Sequence, residues 1–151
     1  MSFQQDLKTA QAVESEVQNK YILSGYTAST TASLGQFSAY DLVISSGGTQ
    51  CYTLEVKYDN KAPDTQNVAI EIEKVNPLGG FLPSGLSITE ADYQVYKIDG
   101  VFYIIPTENL KNILKDLNRE KVLIIVLGGD NKKSRLALMS FYTFKKECEI
   151  L

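Results

Sequence analysis

The sequence contains no histidine at all, and only two cysteines. The first absence removes Ser-His-Asp and Cys-His nucleophile systems, along with every phosphodiesterase mechanism that uses an imidazole base. Cys51 and Cys148 lack metal-ligand spacing, and without histidine they complete no zinc site, so both are expected to be structural thiols. Any hydrolysis must therefore run on carboxylates, lysine and metal. Long apolar runs are also missing. Val122 to Leu127 and Leu136 to Phe144 are the longest, far below the roughly 20 residues a membrane-spanning helix requires. Residues Met1 to Asp6 have neither the basic start nor the apolar stretch of a secretion signal, which makes a soluble cytoplasmic protein the expectation, with no membrane partner.

At 151 residues and 44% hydrophobic, the chain can bury a continuous core, and one domain over residues 1–151 is expected. The net charge of −3 argues mildly against an indiscriminate nucleic-acid binder. Its distribution is uneven. Residues 1–106 carry 6 Lys/Arg against 12 Asp/Glu, whereas residues 107–151 carry 9 against 6. The C-terminal third could supply a basic face, or simply a solvated surface.

Phe3, Leu7, Ala10, Glu14, Val17 and Tyr21 recur at spacings of three and four, the stripe of an amphipathic helix. Glu14 lies inside that stripe, where a carboxylate is costly unless a cation or hydrogen-bond donor meets it. Glu16 points away. Ser24 to Ser38 has no charged residue and reads as a loop with at most a short irregular strand, either near a ligand or an ordinary connector.

Tyr40 to Ser45 and Cys51 to Tyr58 flank Ser46-Gly47-Gly48-Thr49, the pattern of an antiparallel hairpin. Alternation places Cys51, Thr53, Glu55 and Lys57 on one face of the second strand and Tyr52, Leu54, Val56 and Tyr58 on the other. After a polar loop, Val68 to Glu73 alternates as a further strand, and Asn76 to Gly85 is a Pro/Gly loop. Thr89 and Asp92 have the spacing of a capping box for one helical turn. Tyr93 to Ile98 and Val101 to Ile105 flank Asp99-Gly100, a favoured two-residue turn. A helix from Thr107, with Leu110, Ile113, Leu114 and Leu117 as its apolar face, leads to a strand Val122 to Leu127, expected to be buried as part of a strand-helix-strand crossover. Leu136 to Phe144 is expected to be the last strand.

Cleavage of a phosphodiester by a hard cation calls for converging carboxylates and a cationic group beside them. The hairpin supplies this set. Asp41 opens its first strand, and Glu55-Val56-Lys57 lies in the partner strand, so the three charged side chains can meet across neighbouring strands. The main-chain carbonyl of Val56 is a natural further ligand.

In this respect the sequence resembles the PD-(D/E)xK, or restriction-endonuclease-like, nuclease superfamily. Glu14 on a helix, Tyr40-Asp41 on a strand, Glu55-Val56-Lys57 on the next strand, then a helix from Thr107 and a strand from Val122 follow the family's order over roughly residues 1–127. Tyr40 stands where the motif name has proline, and the strand-like material between Val68 and Tyr96 is extra. The resemblance implies an α/β fold: a central mixed β-sheet flanked by helices, with an αβββαβ core plus extra strands. It also implies a Mg2+-dependent endodeoxyribonuclease, a phosphodiester hydrolase in which Mn2+ would serve as substitute. Asp41, Glu55 and the Val56 carbonyl would bind metal, Lys57 would orient or help deprotonate the attacking water, and Glu14 would hold the metal's water shell or a second cation. DNA would be the partner, cut in restriction, homing or junction resolution, and a homodimer or larger oligomer would supply two active sites for two strands.

Glu71 and Glu73 are secondary candidates, with a solvent-facing pair as the simpler reading. Ser87, Thr89 and Tyr93 could contact phosphate, although capping and packing account for them. Lys111, Lys115 and Arg119 share a helix face, and Lys132, Lys133 and Arg135 cluster in a turn, giving two candidate phosphate-contacting patches. The competing reading is a noncatalytic α/β module that binds DNA or protein, with Asp41, Glu55 and Lys57 as surface charges.

Overall fold

A computed structural model describes residues 3–31, 40–48, 50–129 and 132–151, and the side chains from Lys8 onward. Helix α1 spans Phe3–Leu23 and buries Val13 and Val17, with Tyr21 half-buried one turn on. Glu14 sits on the shoulder of that line and is half-buried, as its place in the apolar stripe implied, whereas Ala10 is exposed. Phe3 and Leu7, also assigned to the stripe, have side chains outside the described set.

Strands β1 (Thr27–Thr30), β2 (Leu42–Ser45) and β3 (Cys51–Tyr58) form an antiparallel meander. The Ser24 to Ser38 stretch thus contains a short strand, and its residues 32–39 lie outside the described residues. The chain then leaves this sheet. Asp59 caps a single helical turn α2 (Ala62–Thr65), and β4 (Asn67–Val75) and β5 (Phe81–Pro83) begin a second sheet. It returns through β6 (Tyr93–Ile98), which lies parallel to β3, and β7 (Val101–Pro106). Both turn residues between β6 and β7, Asp99 at φ 51° and Gly100 at φ 78°, adopt the left-handed conformation that this two-residue hairpin requires.

The remaining elements are helix α3 (Thr107–Arg119), β8 (Ile124–Gly128), β9 (Ser134–Ser140), helix α4 (Phe141–Glu147) and β10 (Glu149–Ile150). The six-stranded central sheet runs β1-β2-β3-β6-β7-β10 and is mixed, because β3 and β6 are parallel while its other neighbours are antiparallel. The four-stranded second sheet runs β5-β4-β9-β8.

Helix α1 covers one face of the central sheet through Val13 and Val17 against Leu42, Ile44, Leu54, Val56, Val95 and Phe102. The opposite face, with Tyr96, Ile98, Tyr103 and Ile105, packs on Val68, Ile70, Ala137 and Met139 of the second sheet, Leu110 and Leu114 of α3, and Phe141 and Phe144 of α4. Glu55 and Lys57 are on this second face. This is the mixed α/β architecture expected from the sequence, with the second sheet as its extra strands.

Four expectations are corrected. The Asn76 to Gly85 stretch, read as a loop, contains β5, which pairs with β4 from Glu73 to Val75. The strand after α3 does not enter the central sheet and is not buried: β8 forms the edge of the second sheet, with Ile124 58% and Leu127 53% exposed. A continuous apolar run carries no information about whether both of its faces are covered. The strand from Leu136 ends at Ser140, whose hydroxyl accepts the Thr143 N–H and starts α4; Phe141 and Phe144, one helical turn apart, then pack under Tyr103 and Tyr96. Thr89 caps no helix, because the helical turn lies earlier, at Gly85–Ser87. The Asp92 carboxylate instead accepts the Thr53 N–H and hydroxyl, pinning β3 to the entrance of β6. Gly85 is at φ 53°, and a Cβ there would strike the Glu71 backbone carbonyl, so this turn can lie against β4 only with glycine.

Candidate active site

The two strands of the first hairpin differ in reach. Leu42 pairs with Leu54, and the Asp41 N–H also donates to the Leu54 carbonyl at 2.8 Å; among the described residues β3 then continues beyond the end of β2. A notch opens at Val56. Its N–H, pointing to the side that β2 has vacated, donates to Oδ2 of Asp41 at 2.7 Å. Asp41 is therefore fixed at the fork by its own backbone on one residue of β3 and its side chain on another.

Glu55 is 15% exposed, and its Oε1 lies 3.1 Å from the Lys57 ammonium. The other oxygen, Oε2, is buried and has no hydrogen-bond partner among the described residues. A buried carboxylate oxygen with no donor is unfavourable, and such atoms in folded proteins call for an explanation.

The electrostatics ties four sequence candidates together. Glu14 is pushed up to about 7, chiefly by burial and next by Asp41, with Lys57 pulling the other way. Asp41 is held above the usual carboxylate range by burial, which outweighs its Val56 hydrogen bond and Lys57, while Glu55 adds to the rise. On Lys57, burial is the largest influence and favours the neutral amine. Glu55, their shared hydrogen bond, Asp41 and Glu71 together prevail, so the ammonium is held above its ordinary value. Lys57 is a firm cation facing an excess of carboxylates.

Asp41 and Lys57 are thus within electrostatic reach of each other and of both Glu14 and Glu55, whereas among the described residues no three acidic or cysteine side chains converge as a ready-made metal cage. A divalent ion held by Asp41 and Glu55 would need main-chain or water ligands in addition. The donor chemistry fits one: two hard carboxylates, one of them with an orphaned oxygen, and a third, Glu14, whose carboxyl is raised chiefly by burial and next by Asp41.

The secondary candidates divide. Glu71 accepts the Ser134 hydroxyl at 2.7 Å and, with Lys57, lines a cleft of about 550 Å³. Glu73 pairs with Arg135 at 3.5 Å; a bulge separates it from Glu71 in the β4–β9 ladder. Arg135 also lies over the Phe81 ring, so it is already engaged. Arg119 pairs with Asp116, while Lys111 and Lys115 border a separate groove of about 530 Å³ with Ser87. Lys132 and Lys133 are exposed. Tyr93 packs edge-on to Tyr52, and the Thr89 hydroxyl accepts the Ala91 N–H. Glu16, assigned to the outer face of α1, reaches Lys97 at 2.8 Å. Sequence reasoning missed Asp59, which accepts N–H groups from Lys61, Ala62 and Ala69 and sets where β3 ends and β4 begins. Only the Asp-x-x-Ala-Pro spacing, a turn signal, could have suggested it.

No protein-family model matches the chain, and no curated protein does. Among solved structures, it is similar to the bacterial homing endonuclease I-Ssp6803I, with a TM-score of 0.55 and 18% identity over 86% of this chain and 75% of that one. The chain shares the fold of that nuclease.

Proposed function

We propose that this protein is a divalent-metal-dependent DNA endonuclease working by a PD-(D/E)xK mechanism. The observation that carries this reading is the buried Oε2 of Glu55, without a partner among the described residues, in the residue next to the Val56 whose N–H holds Asp41. Asp41 and Glu55 would hold Mg2+, or Mn2+ in its place, and strand alternation directs the Val56 carbonyl to the same notch as a third ligand. Glu14, electrostatically coupled to Asp41 and Lys57, would accept hydrogen bonds from the metal's water shell. The ion would supply Lewis-acid stabilisation of the phosphate and a more acidic water. Lys57, kept protonated by its surroundings, donates to the attacking water or to a phosphate oxygen rather than taking a proton.

The homing endonuclease of shared fold supports DNA as substrate. We further propose that residues 1–151 act as one domain, as a homodimer or larger assembly in the cytoplasm, because cutting two strands calls for two sites. The Glu55–Lys57 ion pair is also what a noncatalytic module would show. Incubating duplex and four-way-junction DNA with Mg2+, Mn2+ or EDTA separates the two. Metal-dependent cutting lost in both Lys57→Ala and Glu55→Ala supports the nuclease. No cutting under any metal transfers the proposal to the binding module.

A further inference from the structure

The β4–β5 hairpin ends in the turn Asn76-Pro77-Leu78-Gly79-Gly80, and a leucine stands at its tip. Leu78 is 95% exposed. The turn that carries it is held in place. The Leu78 N–H donates to Oδ1 of Asn76 at 3.0 Å, and the Gly79 N–H to the Asn76 carbonyl and the Asn76 N–H to the Gly80 carbonyl at 2.9 Å each. Pro77 locks one further backbone torsion. Val75 and Phe81 pair across the hairpin just below the turn and are exposed as well, so the apolar surface continues down from the tip. Turn tips favour Gly, Asn, Asp and Ser, and a leucine there adds nothing to the core while leaving apolar surface in water.

The flank of this tip is basic. The order β5-β4-β9 puts the β8–β9 turn on the side of β4 away from β5, and the Val75 N–H donates to the Lys133 carbonyl at 2.7 Å. Lys74, Lys132 and Lys133 are exposed and form no ion pair among the described residues. Glu73 is engaged by Arg135, which leaves Asp130, outside the described residues, as the carboxylate to set against three lysines. An apolar finger with cations at its base matches duplex DNA, whose phosphates take lysines and whose base stack admits an apolar side chain from the minor groove. The candidate active site is close enough to share that DNA. Glu71 acts electrostatically on Lys57, and Leu78 follows Glu71 by seven residues, a span of at most about 25 Å against a helical turn of about 34 Å.

We infer that Leu78 is a wedge that inserts between base pairs from the minor groove, with Lys74, Lys132 and Lys133 on the flanking phosphates. The DNA would be kinked within one helical turn of the candidate active site. This rests on the nuclease reading for DNA as the partner.

The test uses the full chain in EDTA with an end-labelled duplex of about 30 base pairs, whose readily kinked TA steps carry 2-aminopurine in place of adenine. At saturating protein, wild type is expected to raise 2-aminopurine fluorescence and to bend the DNA by roughly 20–90°, read by energy transfer between its ends. Leu78→Ala should lose both signals. Lys132→Ala and Lys133→Ala should each lower the slope of log affinity against log salt by about one. Tyr142→Ala, on the exposed face of α4, should change none of these. Straight, stacked DNA with wild type, signals that persist in Leu78→Ala, or a salt slope unmoved by both lysine variants overturns the wedge. A sedimentation change in DNA-free Leu78→Ala with its DNA signals intact also overturns it, and assigns the tip to a protein contact. Cutting in Mg2+ and Mn2+ is scored separately. Cutting of unbent DNA retires the wedge and keeps the nuclease, bending without cutting does the reverse, and neither retires both.

Discussion

Asp59 and Glu55 are four residues apart at the end of one strand, and the fold treats their carboxylates in opposite ways. Asp59 accepts three backbone N–H groups, at 3.0, 2.9 and 3.1 Å, and holds a turn together. Glu55 has one oxygen on an ammonium and the other buried without a partner among the described residues. Asp92 belongs with Asp59, its oxygen filled by the Thr53 N–H and hydroxyl. Glu14 belongs with Glu55, buried enough to resist ionisation. A carboxylate whose lone pairs are met by protein donors is there to shape the chain. One that is buried and left short among the described residues, as Glu55 is, is the kind of group the proposed metal site would use.

That contrast can be broken in four places. The largest effect is expected on activity: Lys57→Ala should lower kcat roughly 10²–10³-fold, the scale for losing one positioned charge donor, while the melting temperature changes little. Single-turnover cleavage alongside thermal melts would check both halves. A parallel collapse of stability would move Lys57 into the structural class.

Asp59→Ala should do the converse, costing about 2–3 kcal/mol of stability through three abandoned N–H groups, by urea denaturation. Cleavage at a temperature where the variant remains folded should persist. Should stability be unaffected, Asp59 is not the clamp its bonds imply.

Glu14 sharpens the comparison through pH. Its folded value of about 7 lies above its unfolded 4.5, so the native state binds the proton more tightly. This contribution to stability is fully present below about 4.5 and is lost as pH rises through about 7. Glu14→Gln should therefore stabilise the protein at pH 8 by about 1–2 kcal/mol after discounting for solvent screening, and have little effect at pH 4. Melts at the two pH values decide it. Mg2+ should raise the wild-type melting temperature at pH 8 by offsetting the same excess charge.

The smallest effect belongs to Arg119. Its pairing with Asp116 on an exposed helix surface should make Arg119→Ala change stability by no more than about 0.5 kcal/mol. A marked drop in DNA affinity in that variant, measured across salt concentrations, would place it instead on a DNA-contacting face.

Much of this was legible before the structure, because it was local. The Gly47-Gly48 and Asp99-Gly100 turns fix two hairpins, and alternation along Cys51–Tyr58 puts Glu55 and Lys57 on one face. The order of Glu14, Asp41, Glu55 and Lys57 marks the candidate site. What failed depended on distant partners. The run Val122 to Leu127 is as apolar as a core strand, and only its place at a sheet edge leaves it exposed. The aromatic stretch from Phe141 reads as strand until Ser140 caps it and the cavity beneath Tyr96 and Tyr103 receives it as a helix. Asp92 reads as a local cap because its actual partner, Thr53, is 39 residues away.

The parallel pairing of β3 with β6 also sets a schedule. Everything between them, α2, β4, β5 and the turn at Gly85, must be spooled out before Glu55 meets Gln94 and Lys57 meets Tyr96. Closing so long a loop is slow compared with forming the hairpins on either side. The order of assembly during refolding is therefore expected to run from hairpins to joined sheet, so that the proposed cutting ability would be acquired among the last events of folding and lost among the first on partial unfolding.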